Sequence, residues 1–223
     1  MKKFELTNEF ITNMFGTKLF RIRALVEFGD VEAGELGGYV EKESNLGHDD
    51  NAWVYDNAWV YGNARVYGDA QVSGDALVYG NARVYGNAWV YGNALVCGNA
   101  LVYDNAWVYG NARVCGDALV CGNARVCSDA LVCGNARVCS DEDYAYAHGF
   151  GSVNRTTTFF RLKDGGVGVR CGCFYGTLAQ FRDKIRETHG ETKKAQEYLM
   201  LADLMELRFE EDENEVGNRK YVE

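Results

Sequence analysis

Residues 51–140 divide without remainder into fifteen hexads, and this repeat constrains the fold more than any other feature of the chain. Alanine holds the second position of every hexad, from Ala52 to Ala136, and valine holds the fourth, from Val54 to Val138. Ala-x-Val predicts a three-residue strand whose alternate side chains point inward. The Gly-Asn, Gly-Asp or Asp-Asn pair that follows predicts a turn. Three such hexads, or 18 residues, close one coil of a three-sided prism.

Ninety residues then make five regular coils, about 24 Å tall at ~4.8 Å per layer. Each strand pairs with the strand one coil away, so small Ala and β-branched Val stack on copies of themselves inside. The Asn column at the turns is expected to form hydrogen-bonded ladders along the prism. The sequence therefore predicts a mainly β fold built on a parallel β-helix.

A solenoid must be capped, because its terminal coils expose apolar core and unpaired strand edges. Residues 1–50 are expected to form the N-terminal cap, with a strand over 19–26. Within it, 33–50 is expected to be a degenerate first coil, with Val40 and Leu46 in the alanine column. Residues 141–155 are expected to be a degenerate last coil, in which Tyr144 and Phe150 fall in the valine column.

Residues 156–209 predict a β-hairpin followed by two helices. The hairpin runs over 157–162 and 167–173, around a Lys-Asp-Gly-Gly turn. Thr177 and Gln180 form a capping box that begins a helix over 178–189, which ends at Gly190. A second helix is expected over 192–209, with an apolar stripe formed by Ala195, Tyr198, Leu199, Ala202, Met205 and Phe209. Residues 210–223 are expected to be an acidic, mobile tail.

Charge and composition exclude several partners. The formal net charge is −9, and the hexads carry five Arg against six Asp. A nucleic-acid partner is not expected, since binding it needs a basic track. No apolar run reaches the ~18 residues of a membrane span, and the start of the chain lacks the apolar region of a signal peptide. We therefore expect a cytoplasmic protein whose eight cysteines are reduced.

The unit V-Y-G-N-A-x resembles the bacterial transferase hexapeptide repeat over 90 of the 223 residues. Members of that family form left-handed parallel β-helices and often assemble as trimers, so the resemblance implies left-handed winding and a homotrimer. The flanks resemble hexapeptide-repeat proteins of unknown function from bacteria and phages, often labelled putative transferases or polymer-forming proteins. That likeness rests on Gly34-Glu-Leu-Gly-Gly-Tyr-Val40 and on Cys171-Gly-Cys-Phe-Tyr-Gly-Thr177.

The histidines do not fit the enzymes of this fold. Hexapeptide acyltransferases generally use a histidine base, and the related γ-class carbonic anhydrases need three histidines as zinc ligands. Here His48, His148 and His189 all lie outside the fifteen hexads, and no loop interrupts the hexads. We therefore predict no catalytic residue and no cofactor, because function must be argued from a site and not from a fold.

The outward positions of the hexads are the candidate binding surfaces. The third position holds four Trp, five Leu, five Arg and one Gln, and the fifth holds eight Tyr, six Cys and one Ser. Exposed aromatic, Leu and Arg side chains together are typical of interfaces, although repeat duplication alone would also produce them. The candidate residues are Trp53, Trp89, Trp107, Arg65, Arg83, Arg113, Arg125, Arg137, Tyr85 and Tyr103.

Cysteine suggests two further sites. Of the six cysteines at the fifth hexad position, Cys97, Cys115 and Cys133 form one column and Cys121 and Cys139 another. They are either a soft-metal or redox ladder or small hydrophobes in place of Tyr. Cys171 and Cys173, expected on one face of a strand, are further candidates for a metal site with His189, against the alternative of buried packing.

These observations predict a non-catalytic, homo-oligomeric β-helix, with a trimer favoured, that binds a partner or serves as a scaffold. One specific version is a phage factor in the host cytoplasm that sequesters a signalling nucleotide or blocks a host protein, with Arg beside aromatic rings holding phosphate and base. The alternatives are an acyltransferase-like enzyme and a structural element that self-assembles.

Overall fold

The structure, a computed structural model, describes residues 2–151, 153 and 155–210. It divides into two compact units, Met1–Tyr144 and Ala145–Glu223. The tail predicted from residue 210 onward lies outside the described residues, apart from Glu210. No described helix is long and apolar enough to cross a membrane.

The described residues of the first unit form eighteen strands, fifteen of them two residues long. They are β1 Phe4–Thr12, β2 Lys18–Ala24, β3 Leu36–Val40, β4 Trp53–Val54, β5 Trp59–Val60, β6 Arg65–Val66, β7 Gln71–Val72, β8 Leu77–Val78, β9 Arg83–Val84, β10 Trp89–Val90, β11 Leu95–Val96, β12 Leu101–Val102, β13 Trp107–Val108, β14 Arg113–Val114, β15 Leu119–Val120, β16 Arg125–Val126, β17 Leu131–Val132 and β18 Arg137–Val138. Two short 3-10 helices, Glu43–Asn45 and Asp141–Asp143, lie on either side of β4–β18.

The short strands form the predicted β-solenoid. Every third strand joins the same parallel sheet, and partners lie 18 residues apart, as in Trp89 beside Trp107 and Val90 beside Val108. The Ala and Val of all fifteen hexads are buried, which confirms the predicted core. Six solenoid strands, β3, β5, β8, β11, β14 and β17, line one side, so the solenoid makes about six turns. Its left-handed winding stays a prediction.

The first coil is longer than predicted. Val40 pairs with Val60, and Leu46 forms a bridge with Val66, so both stand in the valine column and not in the alanine column. The partners are 20 positions apart instead of 18 because Val54 lies eight positions after Leu46, whereas successive valines of the hexads lie six positions apart. Two residues are therefore inserted at the corner just before the first regular strand.

Side chains replace the missing coil at the N-terminal end. The Lys3 Nζ donates hydrogen bonds to the carbonyl oxygens of Asp50 at 2.9 Å and Ala52 at 2.8 Å. The Asn45 Nδ2 does the same for Gly62 and Ala64. These groups satisfy backbone acceptors that a further coil would otherwise satisfy, as buried backbone requires.

The C-terminal end is closed in the same way. The Asp143 carboxylate accepts from the N–H groups of Cys139 and Ser140, and the Asp141 carboxylate accepts from the N–H of Arg125. The Tyr144 hydroxyl donates to the carbonyl oxygen of Arg125 at 2.6 Å. Tyr144 is buried, whereas Phe150, predicted in the same column, is exposed. Residues 141–143 form the short 3-10 helix, and the following residues form a strand instead of a last coil.

The turns stack on one another as tightly as the core does. Gly98 has φ +71°, and a Cβ there would lie 2.9 Å from the backbone nitrogen of Gly116 in the next coil. Side-chain amides beside the turns form the predicted ladders, as in Asn63 to Asn81 to Asn99, with Nδ2 to Oδ1 distances of 3.2 and 2.9 Å. Each coil is thereby fixed in register at its corners as well as at its strands.

The second unit contains β19 Tyr144–Phe150, β20 Arg155–Arg161, β21 Val167–Cys171, β22 Phe174–Thr177, α1 Leu178–His189 and α2 Lys193–Phe209, with β19 beginning at the boundary between the units. The four strands among its described residues form one sheet in chain order, in which β21 pairs antiparallel with both β20 and β22. The hairpin, the Thr177 capping box and both helices are confirmed within one or two residues. The predicted stripe of α2 packs with Phe159, Phe181 and Ile185 in one core.

We expect Gly98→Ala to lower the free energy of unfolding by about 1–2 kcal/mol, because the left-handed conformation disfavours a Cβ and the next turn leaves it no space. Chemical denaturation measures this loss. Gly34→Ala is the matched control, since Gly34 has φ +91° and a Cβ added there would have no atom within 4 Å, and it should lose less.

Gly98→Asp should also lower the free energy of unfolding by less than Gly98→Ala does. Asp56 and Asp104 already occupy this turn position with positive φ, and their carboxylates accept from the N–H of Gly74 and Gly122 in the next coil. An equal loss for both substitutions would contradict this account of the turn column.

Because Lys3 is buried, we predict that its contribution to the free energy of unfolding depends on pH. Desolvation lowers the pKa of Lys3 from 10.5 to about 8. Between those values the unfolded chain binds more protons at this site than the folded chain, so the site's contribution to stability rises with pH. We expect the unfolding free energy of the wild type to gain up to about 3 kcal/mol relative to Lys3→Met as the pH rises from 8 to 10.5. A difference that is constant with pH would contradict this.

Candidate functional site

The outward side chains form three ladders, one on each side of the solenoid. On the side of β4, β7, β10, β13 and β16 the in-register residues are Trp53, Gln71, Trp89, Trp107 and Arg125, as predicted. The term Trp face is used below for the last four of these residues together with two tyrosines of the adjoining corner: Gln71, Trp89, Trp107, Arg125, Tyr91 and Tyr109. Trp89 is 41% exposed there, the largest exposure of any Trp.

Trp53 does not belong to the exposed surface, so the outward position on which its prediction as a binding residue rested is wrong. It is fully buried, with the ring of Phe28 at 5.3 Å and that of Phe4 at 6.2 Å, both edge-on. Gly37 packs so closely that a Cβ there would lie 2.8 Å from the Trp53 ring. The N-terminal cap thus uses the first Trp of the ladder as core.

The rings of the Trp face stack on each other along the solenoid. Trp89 and Trp107 lie 5.4 Å apart and 10° from parallel, and Tyr91 and Tyr109 lie 5.0 Å apart and 3° from parallel. The Arg125 guanidinium covers the next face of Trp107 at 4.9 Å. Because their faces contact one another, these rings present mainly their edges to a partner.

The second ladder, which we call the Arg face, consists of Arg65, Arg83, Leu101, Leu119 and Arg137. At its corner Tyr67, Tyr85 and Tyr103 form a continuous stack with 5.0 Å between ring centroids. The third ladder, which we call the Leu face, consists of Trp59, Leu77, Leu95, Arg113 and Leu131. The ten predicted binding residues therefore do not converge on one site.

Tyr79 and Cys97, neighbours in one corner column, are held in their neutral forms. Burial, together with a hydrogen bond to Cys97, raises the pKa of Tyr79 to about 12. A hydrogen bond to Cys115 and burial raise the pKa of the Cys97 thiol. A thiol of raised pKa is a poor nucleophile and a poor metal ligand at neutral pH. For Cys97, the interpretation as a small hydrophobe in place of Tyr is therefore favoured over a redox or metal ladder.

One cysteine pair differs from the expectation that all thiols are reduced. Cys121 and Cys139 occupy the same corner one coil apart, with their Cα atoms 4.3 Å apart, and the structure joins their sulfur atoms in a disulfide. In-register stacking brings the two side chains together, which the spacing of 18 residues anticipated.

The predicted metal residues surround a cavity in the second unit, but they do not form a metal site. Cys171 ends β21, Gly172 turns with φ +58°, and Cys173 precedes β22, so the two cysteines flank a turn and do not share a strand face. The Cys171 Sγ lies 3.2 Å from the Thr157 Oγ1. Within the described ranges, no three His, Cys, Asp or Glu side chains are placed to hold a metal ion.

The other residues of this cavity were not predicted. Arg155, Phe174, Phe181, Lys184 and Tyr198 come from four separate elements, and only folding of the hairpin beside the helices brings them together. The spacing of Cys171, Cys173 and His189 was a partial signal, since all three line the same cavity.

Comparison with known families agrees with the architecture. The family described as YdcK Beta solenoid repeat matches residues 58–74, 70–82, 76–92, 82–98, 94–110 and 106–122, all within the hexads. No curated protein matches the chain. The matched segments and the fold together show that this chain is a β-solenoid repeat protein.

Proposed function

We propose that this protein is a non-catalytic, homo-oligomeric scaffold that associates with other copies of itself through the Trp face. The observation that carries the proposal is the exposed aromatic edge formed by Trp89, Trp107, Tyr91 and Tyr109 beside Arg125. Trp, Tyr and Arg are the residues that contribute most to binding energy at protein interfaces. In this protein they project from backbone that is hydrogen-bonded to the coils on either side, so their positions are fixed.

A second copy is the occupant that fits this surface best. The ladder repeats once per coil, at about 4.8 Å, and another chain of the same solenoid carries ladders with the same spacing. Two such surfaces can therefore match rung for rung over several coils. When the Trp face of one copy meets a different face of the next, the contact is heterologous, and it forms a closed ring if the rotation between copies closes. The trimer implied by the hexapeptide-repeat resemblance is the ring that we propose.

The second unit carries another surface suited to self-association. Met200, Leu204 and Leu207 are 71%, 54% and 68% exposed, and their spacing places them on one side of α2. The buried stripe of the helix lies on the opposite side. α2 is therefore apolar on two sides, and only one of them is buried within its own unit. The exposed residues are spaced by four and then three positions, which is the spacing of the apolar positions in coiled coils, where helices of different chains pair.

We expect Trp89→Arg to weaken self-association roughly 30-fold in Kd, since it removes about 2 kcal/mol at the centre of the contact. Arg already occupies the same hexad position five times, so the substitution suits the fold. Sedimentation velocity of the full chain at micromolar concentrations, with native mass spectrometry for stoichiometry, measures the change.

Leu95→Arg and Leu101→Arg make a similar change in the same coil, on the Leu face and the Arg face. In a ring, one of them lies on the face that the Trp face meets and should also weaken association, and the other is the control. A loss at one of them in addition to Trp89→Arg identifies the face that Trp89 meets in a ring. Leu204→Arg tests the helix stripe in the same assay. A monomeric wild type, or an unchanged mass for Trp89→Arg, would overturn the proposal.

The nucleotide-binding version remains a separate proposal, in which a phage factor captures a host signalling nucleotide with Arg and aromatic side chains. The Trp face supports this version less than it supports self-association, because a nucleotide base stacks on a free ring face and these rings expose mainly their edges. Thermal-shift measurements with cyclic and linear nucleotides test it, and the absence of any stabilisation would remove it. Acetyl-CoA turnover by the purified chain would instead support the acyltransferase alternative.

A further inference from the structure

A cavity of about 200 Å³ lies in the second unit, at one end of its hydrophobic core. The hairpin turn between β21 and β22 forms one wall and the C-terminal half of α1 forms another. The lining residues are Arg155, Cys171, Cys173, Phe174, Phe181, Lys184, Ile185, Thr188, His189 and Tyr198. A dry protein cavity of about 150 Å³ accepts benzene, so this space suits one six-membered ring with a small substituent.

The inner wall of the cavity is apolar and aromatic. Phe181 and Ile185 are each 3% exposed and Tyr198 is 4% exposed. Phe181 meets Phe174 at 5.4 Å and Tyr198 at 5.8 Å, and the His189 ring stacks on Tyr198 at 5.9 Å. These contacts fix the ring planes before any ligand arrives, as in preformed ligand sites.

The polar side of the cavity is cationic. Arg155 and Lys184 line it together with His189, and none of the described lining residues is Asp or Glu, although the chain as a whole has a net charge of −9. Lys184 also pairs with Glu187 at 2.8 Å, where both side chains are about half exposed or more. Arg155 is therefore the principal cation for a bound anion.

The Arg155 side chain, which is exposed, lies against the hairpin turn. Gly172 has φ +58°, and a Cβ there would lie 1.9 Å from the Arg155 Nη1, so the guanidinium lies directly against the glycine. Any other residue at this position would displace the guanidinium from the turn. The Cys171 thiol contacts Thr157 and the Tyr198 hydroxyl, which leaves Cys173 as the exposed thiol of the turn.

We propose that this cavity binds a small aromatic carboxylate, with the ring against Phe174, Phe181 and Ile185 and the carboxylate on Arg155. The planar guanidinium matches a carboxylate through two parallel hydrogen bonds, and the aromatic walls match a single ring. This site is independent of the self-association proposed above, since none of its residues lies on the Trp face.

Benzoate is the probe that tests the proposal. We expect it to bind the full chain with a Kd on the order of 1 mM, and to shift the backbone amide signals of Gly172 and His189 in a ¹H–¹⁵N NMR titration. Benzyl alcohol and benzamidine have the same ring without the negative charge and should bind at least roughly tenfold more weakly.

Arg155→Gln and Gly172→Ala should each weaken benzoate binding roughly tenfold or more. Arg186→Gln, which changes an α1 cation outside the cavity, should bind benzoate as the wild type does. Dispersed NMR spectra confirm that each variant is folded. Equal binding of benzoate and benzyl alcohol, unchanged affinity in Arg155→Gln, or no saturable shift at all would each overturn the proposal.

Discussion

In-register stacking of each coil on the next is the constraint on which the rest of the structure depends. A residue of the solenoid faces its own equivalent 18 positions away, so every column must be compatible with itself. Alanine and valine meet this requirement in the core by size, asparagine at the corners by hydrogen bonding, and tyrosine by parallel stacking. Glycine meets it at the turns, where backbone packs on backbone.

The same constraint creates the problem of the two ends, and side chains solve it. Lys3 and Asn45 supply donors where the first coil has no predecessor, and Asp141 and Asp143 supply acceptors where the last coil has no successor. Trp53 shows another effect of the end: it occupies an outward position of the repeat, but it is buried because the N-terminal cap covers it. End coils therefore follow different rules from the repeat between them.

Stacking also decides which chemistry the solenoid can offer. Rings that contact each other face to face leave their edges exposed, and Cys97 beside Cys115 is held as a neutral thiol. Such a surface is suited to contact with another surface and less suited to enclosing a ligand. The second unit differs because its hairpin and helices are not periodic, so its side chains converge around a cavity. Our two proposals follow this difference: association through the Trp face of the solenoid, and small-ligand binding in the cavity of the second unit.

The sequence alone determined the periodic part of the protein, because a six-residue repeat leaves little freedom in which side chains point inward, and the capping box of Thr177 fixed where α1 begins. It misplaced Val40 and Leu46 because a two-residue insertion in a corner leaves no periodic signal. Only the tertiary structure decided that Trp53 is buried and that Arg155 lies against Gly172 and lines the same cavity as Phe181. These residues come from distant segments whose spacing no local pattern records.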